Sequence, residues 1–324
     1  MDSLNRLTDR FMWLISPLTI LTGLLLGDRI SSLSFLSRYV FMLLTFSGAV
    51  GMRIGDFTGV FRKPRPLITF LVFCKVLIPL SLAYIVKLVL PGNESAVLGF
   101  ALVIAGPVAV SSFIWTAVYG GNGALTLSIV MLDSLITPLT MPLFTHLVAG
   151  TAVEGGTSDL IGSLVLLVIV PMVIGVGANE LSKGAIKKKF GSGFRLMGKA
   201  ALVIALILGT SKVSTSAAAL RPSDWKLAAC ALGTICVSVL ASYLVSRLFG
   251  LPTDEVASLT TAGGTKNNTA SLVLATSLFS PQCAVPVVLV ILLQSPVLST
   301  LGRLLFPEKK TAADPAIEQE AEKE

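Results

Sequence analysis

Long apolar stretches follow one another along almost the whole of this 324-residue chain. Hydrophobic residues make up 53% of it and charged residues only 13%, which leaves too little polar surface to cover a water-soluble domain of this length. Because about 20 apolar residues cross a bilayer as a helix, we predict an all-α integral membrane protein with about ten transmembrane helices. The predicted spans are 11–27, 34–52, 66–90, 96–118, 123–149, 159–178, 197–211, 225–249, 254–278 and 283–306.

Charged residues are concentrated in the short loops between these spans. Acidic residues follow spans three and five, at Glu94, Glu154 and Asp159. Basic residues follow spans two and six, at Arg53, Arg62, Lys63, Arg65, Lys183, Lys187, Lys188, Lys189 and Arg195. Because basic loops stay on the cytoplasmic side, we predict a multi-pass protein of the cell membrane with both termini in the cytoplasm. The short loops favour a bacterial inner membrane. The net charge of +7 then reflects topology and contact with the lipid bilayer, not binding of nucleic acid.

The fourth and ninth spans are both interrupted by residues that disfavour a helix. Pro107 removes a backbone donor in span four, and Gly263 with Gly264 gives span nine a permissive backbone. Each interrupted span is followed by a span that carries a proline at mid-membrane, Pro138 or Pro296. Matching interruptions in two sets of five spans predict two inverted five-helix repeats, because an odd number of spans reverses the second copy. We expect broken helices four and nine to cross at mid-membrane.

Such paired interruptions indicate the substrate site of a transporter. The second half of each broken helix begins with unpaired amides and a partial positive charge, which suit a carboxylate, sulfate or phosphate group. Two alternatives stay open: the prolines and glycines only kink the helices, or the polar residues only cap the half-helices. The predicted substrate-binding residues are Ser111, Ser112, Thr265, Lys266, Asn267, Asn268 and Thr269.

Lys266 is an ionisable residue at membrane depth, which is costly and indicates a function. It could hold an anion, titrate during transport, replace a metal cation, or form a structural ion pair. We predict Asp133 in span five as its partner, and the two as coupling or charge-compensating residues. Asp133 as a proton site is an alternative. Lys75 in span three either extends its ammonium to the cytoplasmic surface or has a function.

Motifs of soluble enzymes and metal sites are missing from the sequence, which has no P-loop, nucleotide fingerprint or His/Cys metal cluster. We therefore predict no enzyme activity, no catalytic residues and no cofactor. The leading hypothesis is a secondary carrier of a small organic anion. A cation/proton antiporter that uses Asp133 and Lys266 is the alternative, and a receptor or scaffold without transport is a third. A homodimer is an open possibility.

Three segments carry a further signal through their order and spacing. They are 51–57 with 62–64 after span two, 121–142 in span five, and 251–268 up to the break in span nine. In this order they resemble the bile acid:sodium symporter family, in the superfamily that includes arsenite and auxin carriers. Members of that family carry organic anions, typically with two sodium ions bound behind the crossing of the two broken helices.

The resemblance also implies that the single transport unit, 1–324, has two parts with the substrate between them. The implied parts are a panel (11–52 and 159–211), a core (66–149 and 225–306) and a disordered cytoplasmic tail (307–324).

The chain departs from the family where the resemblance implies sodium ligands. Glutamate and glutamine positions of span nine are Ala262 and Lys266, and only Ser112 and Thr126 remain as vestigial oxygen ligands. Other implied ligand positions are Cys74, Phe113 and Val130. Because hard cations need oxygen ligands and an ammonium repels them, we predict that the sodium sites are lost and that no metal binds. Lys266 would supply the positive charge, and proton coupling is open.

Overall fold

The computed structural model describes residues 12–55, 64–149, 156–214 and 225–307. Within these ranges the regular elements are all helical and no strand forms. Seven helices are long and apolar enough to cross a bilayer, and shorter apolar helices accompany them. The prediction of an all-α, multi-pass membrane protein is therefore confirmed.

Twelve labels describe the helices that build the ten predicted spans, because spans four and nine each consist of two short helices. The helices are α1 (Met12–Leu26), α2 (Asp28–Ala49), α3 (Pro64–Val89), α4 (Glu94–Ala105), α5 (Ser112–Val118), α6 (Gly123–Ala149), α7 (Ser158–Leu181), α8 (Ala185–Ser211), α9 (Trp225–Leu248), α10 (Thr253–Gly264), α11 (Asn268–Leu278) and α12 (Pro281–Leu305). Each half of the chain thus has three continuous spans, one broken span and one further continuous span.

Two helices contain a wider, π-helical segment ahead of a proline. The segment Phe70–Leu77 of α3 ends two residues before Pro79, and Val165–Ile169 of α7 ends two residues before Pro171. Proline has no N–H for the carbonyl four residues earlier, so the helix widens instead of closing its regular ladder. Lys75 lies in the first of these segments and is buried.

The spans pack mainly in two groups. Helix α8 packs against α1 and α2, and α7 packs against α2. Helix α9 packs against α10 and α12, while α4 packs against α6 and α12. The two groups meet where α6 contacts α7 and where α11 contacts α8 and α2. The division into a panel and a core that move against each other stays a prediction.

Some sequence predictions concern residues outside the described ranges. These are the loop residues Arg62, Lys63 and Glu154 and the tail from 308 onward. The cytoplasmic location of the termini and the bacterial inner membrane also stay predictions.

Candidate functional site

Both predicted interruptions are true breaks between separate helices. Helix α4 ends at Ala105 and α5 begins at Ser112, while α10 ends at Gly264 and α11 begins at Asn268. The alternative that these residues only kink continuous helices is therefore wrong. The chain at residues 106–109 and 264–266 is buried. Its amides and carbonyls lack helical partners, so other protein groups must form hydrogen bonds with them.

The two breaks cross and hydrogen-bond to each other, as predicted. Val108 and Lys266 form an isolated antiparallel bridge. On one side the amide of Ala109 donates to the carbonyl of Thr265 over 3.2 Å, and on the other the amide of Asn267 donates to the carbonyl of Pro107 over 2.7 Å. We call residues 106–111 and 265–267 the crossing.

Lys266 lies in the crossing with its ammonium buried and unpaired. Its side chain is 7% exposed, and Nζ has no hydrogen-bond or ion-pair partner in the described part of the chain. The predicted pairing of Lys266 with Asp133 is therefore wrong. Asp133 and Lys75 are still close enough for their charges to act on Lys266.

Asp133 pairs instead with Lys75. Nζ of Lys75 lies 2.8 Å from Oδ1 of Asp133, and the two side chains are 2% and 0% exposed. The other carboxylate oxygen, Oδ2, accepts the amide of Val108 over 2.6 Å. Both carboxylate oxygens therefore have partners other than Lys266. This geometry explains the error in the predicted pairing.

Lys75 does not reach the cytoplasmic surface, so that alternative is wrong as well. Besides pairing with Asp133, its ammonium donates to Oγ1 of Thr137 over 2.9 Å and to the carbonyl of Ala105 over 3.3 Å. Ala105 is the last residue of α4, whose carbonyls have no helical partner beyond the break. The ion pair thus contacts the end of α4, at Ala105, and the broken segment itself, at Val108.

Gln294 of α12 is a residue of the crossing that sequence reasoning missed. Its Oε1 accepts the amide of Lys266 over 3.2 Å and Nδ2 of Asn268 over 2.9 Å. Its Nε2 donates to the carbonyl of Lys266 over 3.4 Å. The available signal was an amide side chain inside an apolar span, two residues before Pro296.

The other predicted site residues fall into two sets. Oγ of Ser112 and Oδ1 of Asn268 are buried and lack a hydrogen-bond partner among the described residues, as does Nζ of Lys266. By contrast, Asn267 caps α11 by accepting the amide of Ala270, and Thr265 donates its hydroxyl to the carbonyl four residues earlier. The first set has free capacity for a ligand, whereas the second serves the backbone.

Ser111 and Thr269 complete the predicted set. Ser111 is exposed just before α5 and makes no side-chain cap, while Thr269 is buried in the first turn of α11. Helix α5 has seven residues, so the positive end at the crossing belongs mainly to α11, which has eleven.

Thr126, one of the vestigial sodium positions, lies in a buried cluster of hydroxyl groups, to which no hydrogen bond joins Ser112 within the described residues. Oγ1 of Thr116 shares hydrogen bonds with Oγ1 of Thr126, at 2.9 Å, and with Oγ1 of Thr261, at 2.6 Å. All three side chains are fully buried, as is Ala262 beside them on α10. Within the described ranges, no group of three or more His, Cys, Asp or Glu side chains could hold a metal ion.

Comparison with known proteins identifies the family of this chain. The SBF-like CPA transporter family matches residues 13–304. The Bacillus subtilis (strain 168) protein named "Uncharacterized protein YbaS" is 27% identical over 91% of this chain and 96% of its own length. The Arabidopsis thaliana protein named "Probable sodium/metabolite cotransporter BASS1, chloroplastic" is 27% identical over 83% of this chain and 68% of its own length.

These matches cover nearly the whole chain and confirm the resemblance to the bile acid:sodium symporters. The family match covers residues 13–304, a range that includes both breaks. The chain therefore belongs to the SBF-like CPA transporter family and is a multi-pass membrane transporter.

Proposed function

We propose that this transporter carries a small organic anion without sodium, and that Lys266 provides the positive charge that binds it. The observation behind the proposal is the buried, unpaired ammonium of Lys266 beside the N-terminus of α11. An unpaired charge in a low-dielectric interior is costly, and a bound carboxylate would offset that cost with a charge-assisted hydrogen bond.

The balance of charge at the crossing favours an anion over a cation. Two buried lysines, Lys75 and Lys266, lie near a single buried aspartate, Asp133. With Asp133 paired to Lys75, the remaining positive charge of Lys266 would attract an anion and repel a cation. Oγ of Ser112 and Oδ1 of Asn268, which lack partners among the described residues, add hydrogen-bonding capacity at the first residues of α5 and α11.

Sodium independence is supported by the hydroxyl cluster. The relative from Arabidopsis thaliana is named as a probable sodium/metabolite cotransporter. In this chain the hydroxyls of Thr116, Thr126 and Thr261 bond to one another, and Ala262 offers a methyl group in place of a carboxylate. A hard cation would have to break those bonds and would find few oxygen ligands.

The test is uptake into liposomes that contain the purified protein. Radiolabelled acetate, lactate and succinate are offered with an inward gradient of sodium, of potassium or of choline. We expect at least one of the three to enter at the same initial rate with each cation. Uptake that rises with the sodium gradient would contradict the proposal.

A second candidate is cation/proton antiport through Asp133, which the complete burial of this carboxylate in an ion pair favours. It predicts that an added cation changes the internal pH of the liposomes, reported by a trapped dye, when no organic anion is present. The anion carrier predicts no such response. Binding of an anion without any flux would favour a receptor.

A further inference from the structure

The bridge between the breaks leaves two buried amides pointing away from it. In the antiparallel pair of Val108 and Lys266, the hydrogen bonds between the strands run through the flanking residues Pro107, Ala109, Thr265 and Asn267. The bridged residues themselves therefore direct their own N–H groups outward. At membrane depth each of these amides needs an acceptor supplied by the protein.

One side chain from each half of the molecule supplies that acceptor. Asp133 of α6 accepts the amide of Val108, and Gln294 of α12 accepts the amide of Lys266. Helices α6 and α12 occupy the same place in the two halves, because each follows the broken span of its own half. The acceptors lie 25 and 28 residues after the amides they accept, so their places along the chain also correspond.

We infer that Asp133 and Gln294 are equivalent positioning residues, which hold the two strands of the crossing from opposite halves of the molecule. The inference concerns the geometry of the crossing and does not depend on which solute is carried. Neither residue needs to contact the solute. Their effect on transport would come from placing Lys266 and the N-terminus of α11.

The two halves satisfy the same need with different chemistry. Gln294 is neutral and uses its amide to accept from the N–H of Lys266 and to donate to its carbonyl. Asp133 can only accept, so Lys75 provides the donor, to the carbonyl of Ala105, and neutralises the carboxylate. Lys75 is therefore required in this half to neutralise the acceptor, Asp133, whereas the neutral Gln294 needs no partner of opposite charge.

The experiment compares variants that separate the acceptor from the charge. Lys75→Met leaves the buried carboxylate of Asp133 unpaired. Lys75→Met with Asp133→Asn removes both charges and keeps an acceptor for the amide of Val108. Lys75→Met with Asp133→Leu removes both charges and the acceptor. Hydrogen exchange of the backbone at 105–112 is measured on purified protein, together with the thermal midpoint. We expect Lys75→Met to lower the midpoint and the asparagine double variant to restore it.

The leucine double variant is the decisive one. Without an acceptor for Val108, we expect exchange at 105–112 to be about tenfold faster than in the asparagine double variant, the size of one net hydrogen bond. Equal exchange in the two double variants would overturn the inference.

The other half provides an independent test, because Gln294 is neutral and its replacement breaks no ion pair. Gln294→Met should accelerate exchange at 262–269 by about tenfold, because the amide of Lys266 loses its acceptor. Gln282→Met is the matched control, since Gln282 is exposed near the start of the same helix. Unchanged exchange at 262–269 in Gln294→Met, or equal acceleration in Gln282→Met, would contradict the inference.

Discussion

At the scale of single residues, the unusual feature is the buried Lys266, which has no counter-charge within the described part of the chain. Lys75 shows how this chain treats a lysine that serves the structure, because it has a carboxylate, a hydroxyl and a carbonyl around its ammonium. Lys266 has none of these among the described residues. The contrast within one site supports a functional reading of Lys266 and a structural reading of Lys75.

This contrast predicts that Lys266→Gln stabilises the protein, whereas Lys75→Met, as argued above, destabilises it. Lys266→Gln removes an unpaired buried charge, so we expect the free energy of unfolding to rise by about 1–3 kcal/mol. Thermal unfolding of the purified protein, without added organic anion, measures it. Lys87→Gln is the matched control, because Lys87 is exposed in the last turn of α3, and it should change stability little. A lower midpoint for Lys266→Gln would show that Lys266 has a structural partner.

Residue types predicted part of this site, and spatial neighbours decided the rest. Pro107, Gly263 and Gly264 revealed both breaks because their backbone preferences are local. Lys266 was predicted as the exceptional charge for a similarly local reason. Its pairing with Asp133 was wrong because the partner depends on how the π-helical segment of α3 places Lys75.

At the scale of helices, α4, which is the first half of the broken span four, depends on close contact with α12. A Cβ at Gly99 would overlap the carbonyl oxygen of Cys283 in the backbone of α12. No flexible side chain can move aside there, so the two helices would have to separate. Glycine is thus required at this position by a close approach of two helices and not by its own backbone angles.

Two glycine substitutions should therefore have opposite effects. Gly99→Ala is expected to destabilise the protein by about 1–3 kcal/mol, because it forces α4 and α12 apart. Gly233→Ala is the matched control in α9, where a Cβ would meet nothing within 4 Å. It should be neutral or stabilising by up to about 1 kcal/mol, because alanine favours a helix over glycine. Thermal unfolding in detergent measures both, and equal midpoints would refute this account of Gly99.

The apolar pattern predicted where each helix lies along the chain more accurately than it predicted where each helix begins and ends. Span seven was predicted as 197–211, whereas α8 begins at Ala185 and has 27 residues. Its first turns contain Lys187 and Lys189, which hydropathy counts as a loop although the residues are helical and exposed. The apolar pattern locates the part of a helix that lies within the membrane. The helix itself continues beyond the membrane into a polar segment.

At the scale of the whole molecule, transport by alternating access requires the two predicted parts to move against each other. Helices α8 and α11 meet across the predicted boundary, where a Cβ at Gly209 would lie 2.9 Å from Cγ of Leu272. Helices α2 and α8 meet within the predicted panel, where a Cβ at Gly198 would lie 3.5 Å from Cβ of Ser47. Both sites bring two side chains close to the separation of a disulfide.

Disulfides at these two sites should affect transport differently. Gly209→Cys with Leu272→Cys, once oxidised, is expected to reduce flux by at least about tenfold, because it prevents the closing and opening of the cavity. A reducing agent should restore the flux. Ser47→Cys with Gly198→Cys should keep its flux when oxidised. Normal flux through a fully cross-linked Gly209–Leu272 pair would contradict the predicted division into moving parts.

The central claim is that Lys266 supplies the positive charge for an anion, and sodium-free binding tests it most directly. The thermal midpoints of the wild-type protein, Lys266→Gln and Lys87→Gln are measured in choline buffer with rising concentrations of acetate, lactate and succinate. A ligand at about a hundred times its Kd stabilises a protein by about 2.7 kcal/mol. We predict such stabilisation by at least one carboxylate in the wild type and in Lys87→Gln, and none in Lys266→Gln. Equal stabilisation of Lys266→Gln, or stabilisation of the wild type only when sodium is added, would contradict the claim.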